Sequence, residues 1–264
     1  MAYISQPPAS ITGLSVYTDL FLLGAGFFAG AINAVAGGGT FISMPVLIYA
    51  GLPSVPANAS STVALFPGSL ASIYAFRKDF KGFEHIALKY LIALSITGGC
   101  IGALLLIFTP STSFDKIIPW LVLVGGIAFI FGKQLSQALQ SRFKTSRVAM
   151  VIAQFVLGIY GGYFGGGAGI MMMAAWSVMG LSDIKLINAN KTLLVGAANS
   201  IAVVIFILSG KIWWPQTCIM LIATILGGYA GAYYSRRLNQ AVLRAVISGL
   251  IVVITVLFFY RAYW

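Results

Sequence analysis

Two glycine runs, set far apart in an almost wholly apolar chain, constrain the fold more than any other feature. The first element is Gly37-Gly38-Gly39-Thr40, an apolar run to Gly51-Leu52, then Asn58-Ala59-Ser60-Ser61-Thr62. The second is Gly165-Gly166-Gly167-Ala168, an apolar run to Gly180-Leu181, then Asn188-Ala189-Asn190-Lys191-Thr192. Gly38 and Gly166 are 128 residues apart, Gly51 and Gly180 are 129 apart, and Asn58 and Asn188 are 130 apart. Further on, Gly98-Gly99-x-x-Gly102-Ala103 matches Gly227-Gly228-x-x-Gly231-Ala232 at a separation of 129. A period this long signals two fused halves rather than a solenoid.

Composition identifies the solvent. The chain is 59% hydrophobic and 8% charged, whereas a soluble domain is about 45–50% apolar and about 25% charged. Apolar runs near 18–35, 59–76, 86–108, 117–132, 148–163, 190–209, 213–234 and 241–260 approach the roughly 20 residues that cross a bilayer core as helix. The runs at 41–50 and 169–179 cover only about half that depth at about 1.5 Å per residue. Backbone broken by glycine survives at membrane depth only where it is buried in protein or lines a wet cavity. Short, glycine-interrupted segments at corresponding places in two halves are the sequence mark of a transporter's binding site. The expected fold is an all-α polytopic membrane protein of two inverted repeats, each of about four full helices plus one short or broken helix.

The inversion comes from the basic residues. The connections 77–89, 133–147, 180–191 and 235–244 hold thirteen of the sixteen Lys and Arg, which places them on the cytoplasmic side. The connection after the third segment is then inside in the first half (77–85) and outside in the second (209–212). The boundaries are a first membrane repeat at 18–133, a cytoplasmic linker at 134–147 and a second membrane repeat at 148–264. Both termini are expected outside, in a bacterial-type inner membrane. Met1 to Tyr17 contains no Lys or Arg, so it lacks the basic region of a cleavable signal peptide. The net charge of +11 thus reflects topology rather than a nucleic-acid partner. The lipid bilayer is the expected partner, and a homodimer is compatible with this arrangement.

Several smaller features fit the same picture. Gly26-x-x-x-Gly30, Gly98-x-x-x-Gly102, Gly158-x-x-x-Gly162 and Gly227-x-x-x-Gly231 would let helix backbones approach closely. Pro67 is a hinge candidate within the third segment. Cys100 and Cys218 are expected to be buried free thiols. Trp213, Trp214, Tyr260, Tyr263 and Trp264 fit an outer aromatic belt; Phe76, Phe80, Phe83, Tyr233 and Tyr234 fit an inner one.

The ionisable groups exclude most chemistry. His85 is the single histidine, and Asp19, Asp79, Glu84, Asp115 and Asp183 sit at segment ends. With no carboxylate pair, Cys/His dyad or metal cluster in the apolar runs, the chain is expected not to be an enzyme and to need no cofactor or metal. The glycine runs lack the strand–helix context of a nucleotide loop.

What remains suits a small anionic substrate. A glycine turn exposes backbone N–H groups, and a following helix start adds its positive end. The candidate binding residues are Asn33, Gly37, Gly38, Gly39, Thr40, Asn58, Ser61 and Thr62 in the first half. In the second half they are Gly165, Gly166, Gly167, Asn188, Asn190, Lys191 and Thr192. Thr40 is placed to cap the first short helix. Ser69 and Asn199 continue the polar stripes and read equally as helix glue. At the membrane centre a lysine costs about 2.5–3.5 kcal/mol, which an anion bound to Lys191 would offset; an interfacial lysine is the competing account. The counterpart of Lys191 in the first half is Ser61.

At these residues the sequence resembles the TauE/SafE sulfite-exporter family, also called the 4-toluene sulfonate uptake permease family. The resemblance rests on Gly26 through Asn33, Gly37 to Thr40, Pro45, Gly51-Leu52-Pro53 and Asn58 to Thr62. It is reinforced by Gly158 through Gly165 to Gly169, Gly180-Leu181 and Asn188 to Thr192. The second element departs from the first in having Ala168 for Thr40 and no equivalent of Pro45. The resemblance implies a multi-pass permease, an exporter by the family's label, for sulfite, organosulfonates or related small anions. Alternating access around a central site made from both glycine-broken elements is the expected mechanism. The alternatives are a passive small-anion channel and a non-transporting membrane scaffold or sensor.

Overall fold

The computed structural model describes residues 16–83, 86–140, 146–181, 183–234 and 240–264. The basic-free N-terminal stretch up to residue 15, Glu84 and His85, the linker residues 141–145 with Arg142 and Lys144, and Arg236 and Arg237 lie outside the described residues.

Ten helices carry the described chain: α1 (Val16–Ala36), α2 (Thr40–Tyr49), α3 (Ser54–Phe76), α4 (Leu88–Phe108), α5 (Ser111–Gln140), α6 (Arg147–Tyr163), α7 (Ala168–Val178), α8 (Ile184–Leu208), α9 (Trp214–Tyr234) and α10 (Gln240–Tyr263). Six of them, α1, α3, α4, α5, α8 and α10, are long and apolar enough to cross a membrane. Many large apolar side chains, among them Leu105, Val156, Leu226 and Val246, are exposed, as a surface solvated by lipid tails requires. Helix α5 runs on to Gln140, so residues 134–140, read from the sequence as linker, are helical.

The two short segments are helices of 10 and 11 residues. Both end in the same way. Gly51 N–H donates to Ile48 O at 3.0 Å and Leu52 N–H to Leu47 O at 3.1 Å. In α7, Gly180 N–H donates to Ser177 O and Leu181 N–H to Trp176 O, both at 3.1 Å. With φ of +95° at Gly51 and +91° at Gly180, each is a Schellman closure that satisfies carbonyls otherwise orphaned at the helix end.

The four glycine pairs make very close helix contacts, and they do so between the first and second parts of the chain. On α1 against α9, a Cβ at Gly30 would stand 2.1 Å from Thr224 O, and one at Gly227 would stand 1.8 Å from Phe27 O. On α4 against α6, a Cβ at Gly102 would stand 2.1 Å from Ile159 O, and one at Gly162 would stand 2.2 Å from Gly99 O. The first helix of each half is thus pressed on the fourth helix of the other, at a distance only glycine permits.

Helices α3 and α8 are antiparallel neighbours pinned at both ends. Trp213 N–H, just past the end of α8, donates to Ser60 Oγ near the start of α3 at 3.2 Å. Asn190 Nδ2, near the start of α8, donates to Lys81 O just past the end of α3 at 2.7 Å. Ser60 and Asn190 occupy equivalent positions, 130 residues apart.

An aromatic core including Phe41, Phe114, Phe164 and Phe206 fills the centre. Phe83 differs from its expected place in an aromatic belt. It is buried edge-on against Trp176 of α7, ring centroids 5.0 Å apart, and its backbone pairs with that of Ile86. Both cysteines are free as expected, but neither is buried: Cys100 is half-buried and Cys218 is exposed. It lies on α9 away from the face that meets α1 through Gly227 and Gly231.

Candidate functional site

A cavity of about 140 Å³ lies where the glycine turns preceding α2 and α7 meet the α3–α8 pair. At the first turn the chain leaves α1 through Gly37, whose φ of +72° costs an ordinary L-residue about 1–2 kcal/mol. Asn33 holds this turn twice: its carbonyl accepts Gly37 N–H at 2.9 Å and its Oδ1 accepts Gly39 N–H at 3.4 Å. Thr40 does not take the capping role expected of it: α2 has no side-chain cap hydrogen bond, and Asn33 Oδ1 accepts the N–H of the N-cap residue itself. Gly39 is the N-cap of α2, and Thr40 is the first residue inside the helix. The Thr40 side chain instead faces the second turn. A Cβ at Gly165 would stand 3.8 Å from both Thr40 Oγ1 and Thr62 Oγ1.

The second turn runs through Gly165 and Gly167, with φ of +80° and +78°. Gly165 N–H donates to Tyr160 O at 3.4 Å. The Tyr160 hydroxyl lies 2.9 Å from Gly166 O and 3.0 Å from Leu121 O, tying the turn to α5.

The remaining wall comes from one stripe on each long helix. Helix α3 presents Thr62, Leu65, Ser69, Ser72 and Phe76; α8 presents Asn188, Lys191, Thr192, Val195 and Asn199. Steps of three and four keep each stripe on a single helical face. Thr62 Oγ1 donates to Asn58 O at 3.0 Å and Thr192 Oγ1 to Asn188 O at 2.9 Å. Those two hydroxyls commit their hydrogens to the backbone and offer lone pairs to the cavity. Side-chain donors on the wall include the Lys191 ammonium and the amides of Asn33 and Asn188. Of the first-turn N–H groups, those of Phe41 and Ile42 are taken by Gly38 O and Gly39 O, and those of Ala168 and Ile170 by Gly165 O and Gly167 O. Among the described residues, the Lys191 ammonium has no hydrogen-bond or ion-pair partner. Its stem packs on Gly169, where a Cβ would stand 3.1 Å from both Cγ and Cδ.

Of the residues singled out from the sequence, Asn33, Gly37, Thr40, Thr62, Gly165, Asn188, Lys191 and Thr192 line this one cavity, with Ser69 and Asn199. The others lie behind it. Gly38 is buried, and a Cβ at Gly39 would stand 2.7 Å from both Ala29 O and Asn33 Cβ. At Gly166 a Cβ would stand 2.8 Å from the Phe164 ring, and at Gly167 it would stand 3.1 Å from the Phe41 ring. Asn58 is 1% exposed and donates from Nδ2 to Tyr163 O at 2.9 Å. Ser61 is hydrogen-bonded to Ser43, and Asn190 to the Lys81 carbonyl. Ala34, Leu65, Ser72, Phe76, Gly169 and Val195 join the wall without having been singled out as binding residues. Ser72 and Phe76 continue the three-and-four spacing of Thr62 and Ser69, which was the available signal. Among the described residues no group of three or more His, Cys, Asp or Glu lies together.

A helical chain with six membrane-length helices and a polar cavity between two half-length ones belongs to the class of multi-pass membrane transporters. More particularly, the chain is a member of the sulfite exporter TauE/SafE family, whose model matches residues 22–258. A "Probable membrane transporter protein" of Haemophilus influenzae is 29% identical over 238 residues, covering 89% of this chain and 91% of that protein. The "Probable membrane transporter protein YfcA" of Escherichia coli K12 is 29% identical over 231 residues, covering 86% and 85%. The "Probable membrane transporter protein ORF9" of a Sinorhizobium species is 25% identical over 238 residues, covering 89% of each chain. No solved structure gives a significant match.

Proposed function

We propose that this transporter is a secondary permease for a small oxyanion such as sulfite or an organosulfonate, an exporter by the family's label, working by alternating access. The observation that carries the reading is the unpaired Lys191 ammonium on the wall of a cavity bounded by both glycine turns. A half-buried charge with no partner costs free energy that an arriving counter-charge offsets, and the substrate is that counter-charge. The amides of Asn33 and Asn188 add neutral donors around the same point, and the positive ends of α2 and α7 add their dipoles. The substrate is moved without covalent chemistry.

The repeats 18–133 and 148–264, joined by 134–147, lie inverted in an inner membrane with both termini outside. The antiparallel pairing of α3 with α8 supports that inversion. So does the exchange of partners by which α1 packs on α9 while α6 packs on α4. Flux measured on purified protein in liposomes, comparing sulfite, methanesulfonate and small carboxylates, tests the reading. Saturable, counterflow-capable movement of the sulfur oxyanions is expected. Linear flux without counterflow would make the protein a channel, and no flux of any anion would leave a scaffold or sensor.

A further inference from the structure

The cavity is symmetric at its centre and one-sided away from it. Positions 130 residues apart on α3 and α8 are equivalent, and three such pairs, Thr62 with Thr192, Leu65 with Val195 and Ser69 with Asn199, both line the cavity. Beyond them the wall continues in one direction only. It runs along α3 to Ser72 and Phe76 near that helix's C-terminus, and along α8 to Lys191 and Asn188 near that helix's N-terminus. These ends lie together, since Asn190 of α8 reaches Lys81 just beyond α3. The equivalents of those four residues are sealed. Ala202 and Phe206 are 0% exposed, as is Ser61, and Asn58 is 1% exposed. The seal consists of the Asn58 bond to Tyr163 O and the Ser61 bond to Ser43. The Phe114 ring packs edge-on against Tyr163 over the same region, centroids 5.5 Å apart.

We propose that Asn58, Ser61, Ala202 and Phe206 line a second approach to the same central pocket, closed in this conformation and opened when the Asn58–Tyr163 contact breaks. The inference rests on the permease reading and adds to it the identity of the closed route. Sequence-equivalent positions in two halves adopt two environments, one lining a cavity and one packed. That is the asymmetry an inverted pair needs, because exchanging the environments turns the access to the other side. A purely structural Asn58 and Ala202 would instead stay packed throughout transport.

The test uses the full chain in liposomes with Cys100 and Cys218 replaced by Ala. Single cysteines are introduced as Ser72→Cys and Ala202→Cys, with Ser61→Cys as a second probe of the closed route should Ala202→Cys assemble poorly. A membrane-impermeant maleimide is applied to either face while sulfite counterflow proceeds. Ser72→Cys should react only from the face where α3 ends. Ala202→Cys and Ser61→Cys should react only from the opposite face, with loss of counterflow as they are modified. If these last two stay inert from both faces while counterflow continues, the second approach is wrong and the permease reading stands. If the unmodified protein moves neither sulfite nor methanesulfonate, the permease reading falls and the second approach with it.

Discussion

The stem of Lys191 lies across Gly169, with both Cγ and Cδ where only a hydrogen fits comfortably beneath them. The contact runs from α8 to the first turn of α7, so the charge is guided by the helix start whose positive end shares the cavity. Replacing Lys191 with Met keeps the stem and removes the charge. The expected result is a fall of about tenfold or more in kcat/KM for anion flux, equivalent to about 1.4 kcal/mol, with normal yield of folded protein.

Gly169→Ala places a methyl against the lysine stem at 3.1 Å. The stem is flexible and Ala favours helix by about 0.8–1.0 kcal/mol, so thermal stability in detergent is expected to hold. The displaced ammonium should raise KM more than it lowers kcat, which concentration-dependent flux would resolve.

The glycine faces are predicted to behave quite differently from one another. Gly227→Ala would set a methyl 1.8 Å from the Phe27 carbonyl, and backbone cannot swing aside. The cost is expected at about 1–3 kcal/mol or more, as for overpacked cores, read as a lower midpoint in detergent melting. Gly24→Ala, on α1 with no atom within 4 Å of the added carbon, should leave that midpoint unchanged or raise it.

Gly37 isolates conformational strain from crowding. Its φ is +72° and nothing lies within 4 Å of an added Cβ. Gly37→Ala should therefore lose about 1–2 kcal/mol by backbone strain alone. Gly37→Asn should lose less, since Asn enters the left-handed region more readily than most residues. The difference in melting midpoint between the two variants is the measurement.

Sequence legibility tracked the distance over which the physics acts. Short apolar runs bounded by glycine located α2 and α7 to within one residue, because helix length and glycine breaks are local properties. The glycine pairs likewise announced close packing, although nothing local said that α1 would meet α9 and α6 would meet α4. Inside each glycine run the reading could not separate Gly37 and Gly165, which face the cavity, from Gly39 and Gly166, which pack on Ala29 and Phe164. That choice depends on turn geometry. Asn58 and Asn188 look alike in sequence yet stand in different places, one bonded to Tyr163 O and one on the cavity wall. A repeat in sequence carries no record of which copy lines the cavity and which is packed. Its position at a segment end points Phe76 to an aromatic belt, whereas the α3 stripe continues through it into the cavity.

The cavity stripe on α3 ends at Phe76, directly before exposed Arg77, Lys78 and Lys81. A positive rim at an anion's entrance raises local substrate concentration and acts within a Debye length, about 8 Å at physiological salt. Neutralising all three to Gln should raise KM for sulfite at low ionic strength. The difference from the unmodified protein should shrink as salt is added, with kcat little changed.

Locating the bound anion tests the central claim most directly. Selenite, a heavier oxyanion of the same geometry as sulfite, can be diffused into crystals of the transporter and found by its anomalous scattering. The account predicts one peak between the two glycine turns, within hydrogen-bonding distance of Lys191 and beside Thr62 and Thr192. A peak elsewhere in the molecule, or none under conditions where selenite competes with sulfite flux, would contradict it.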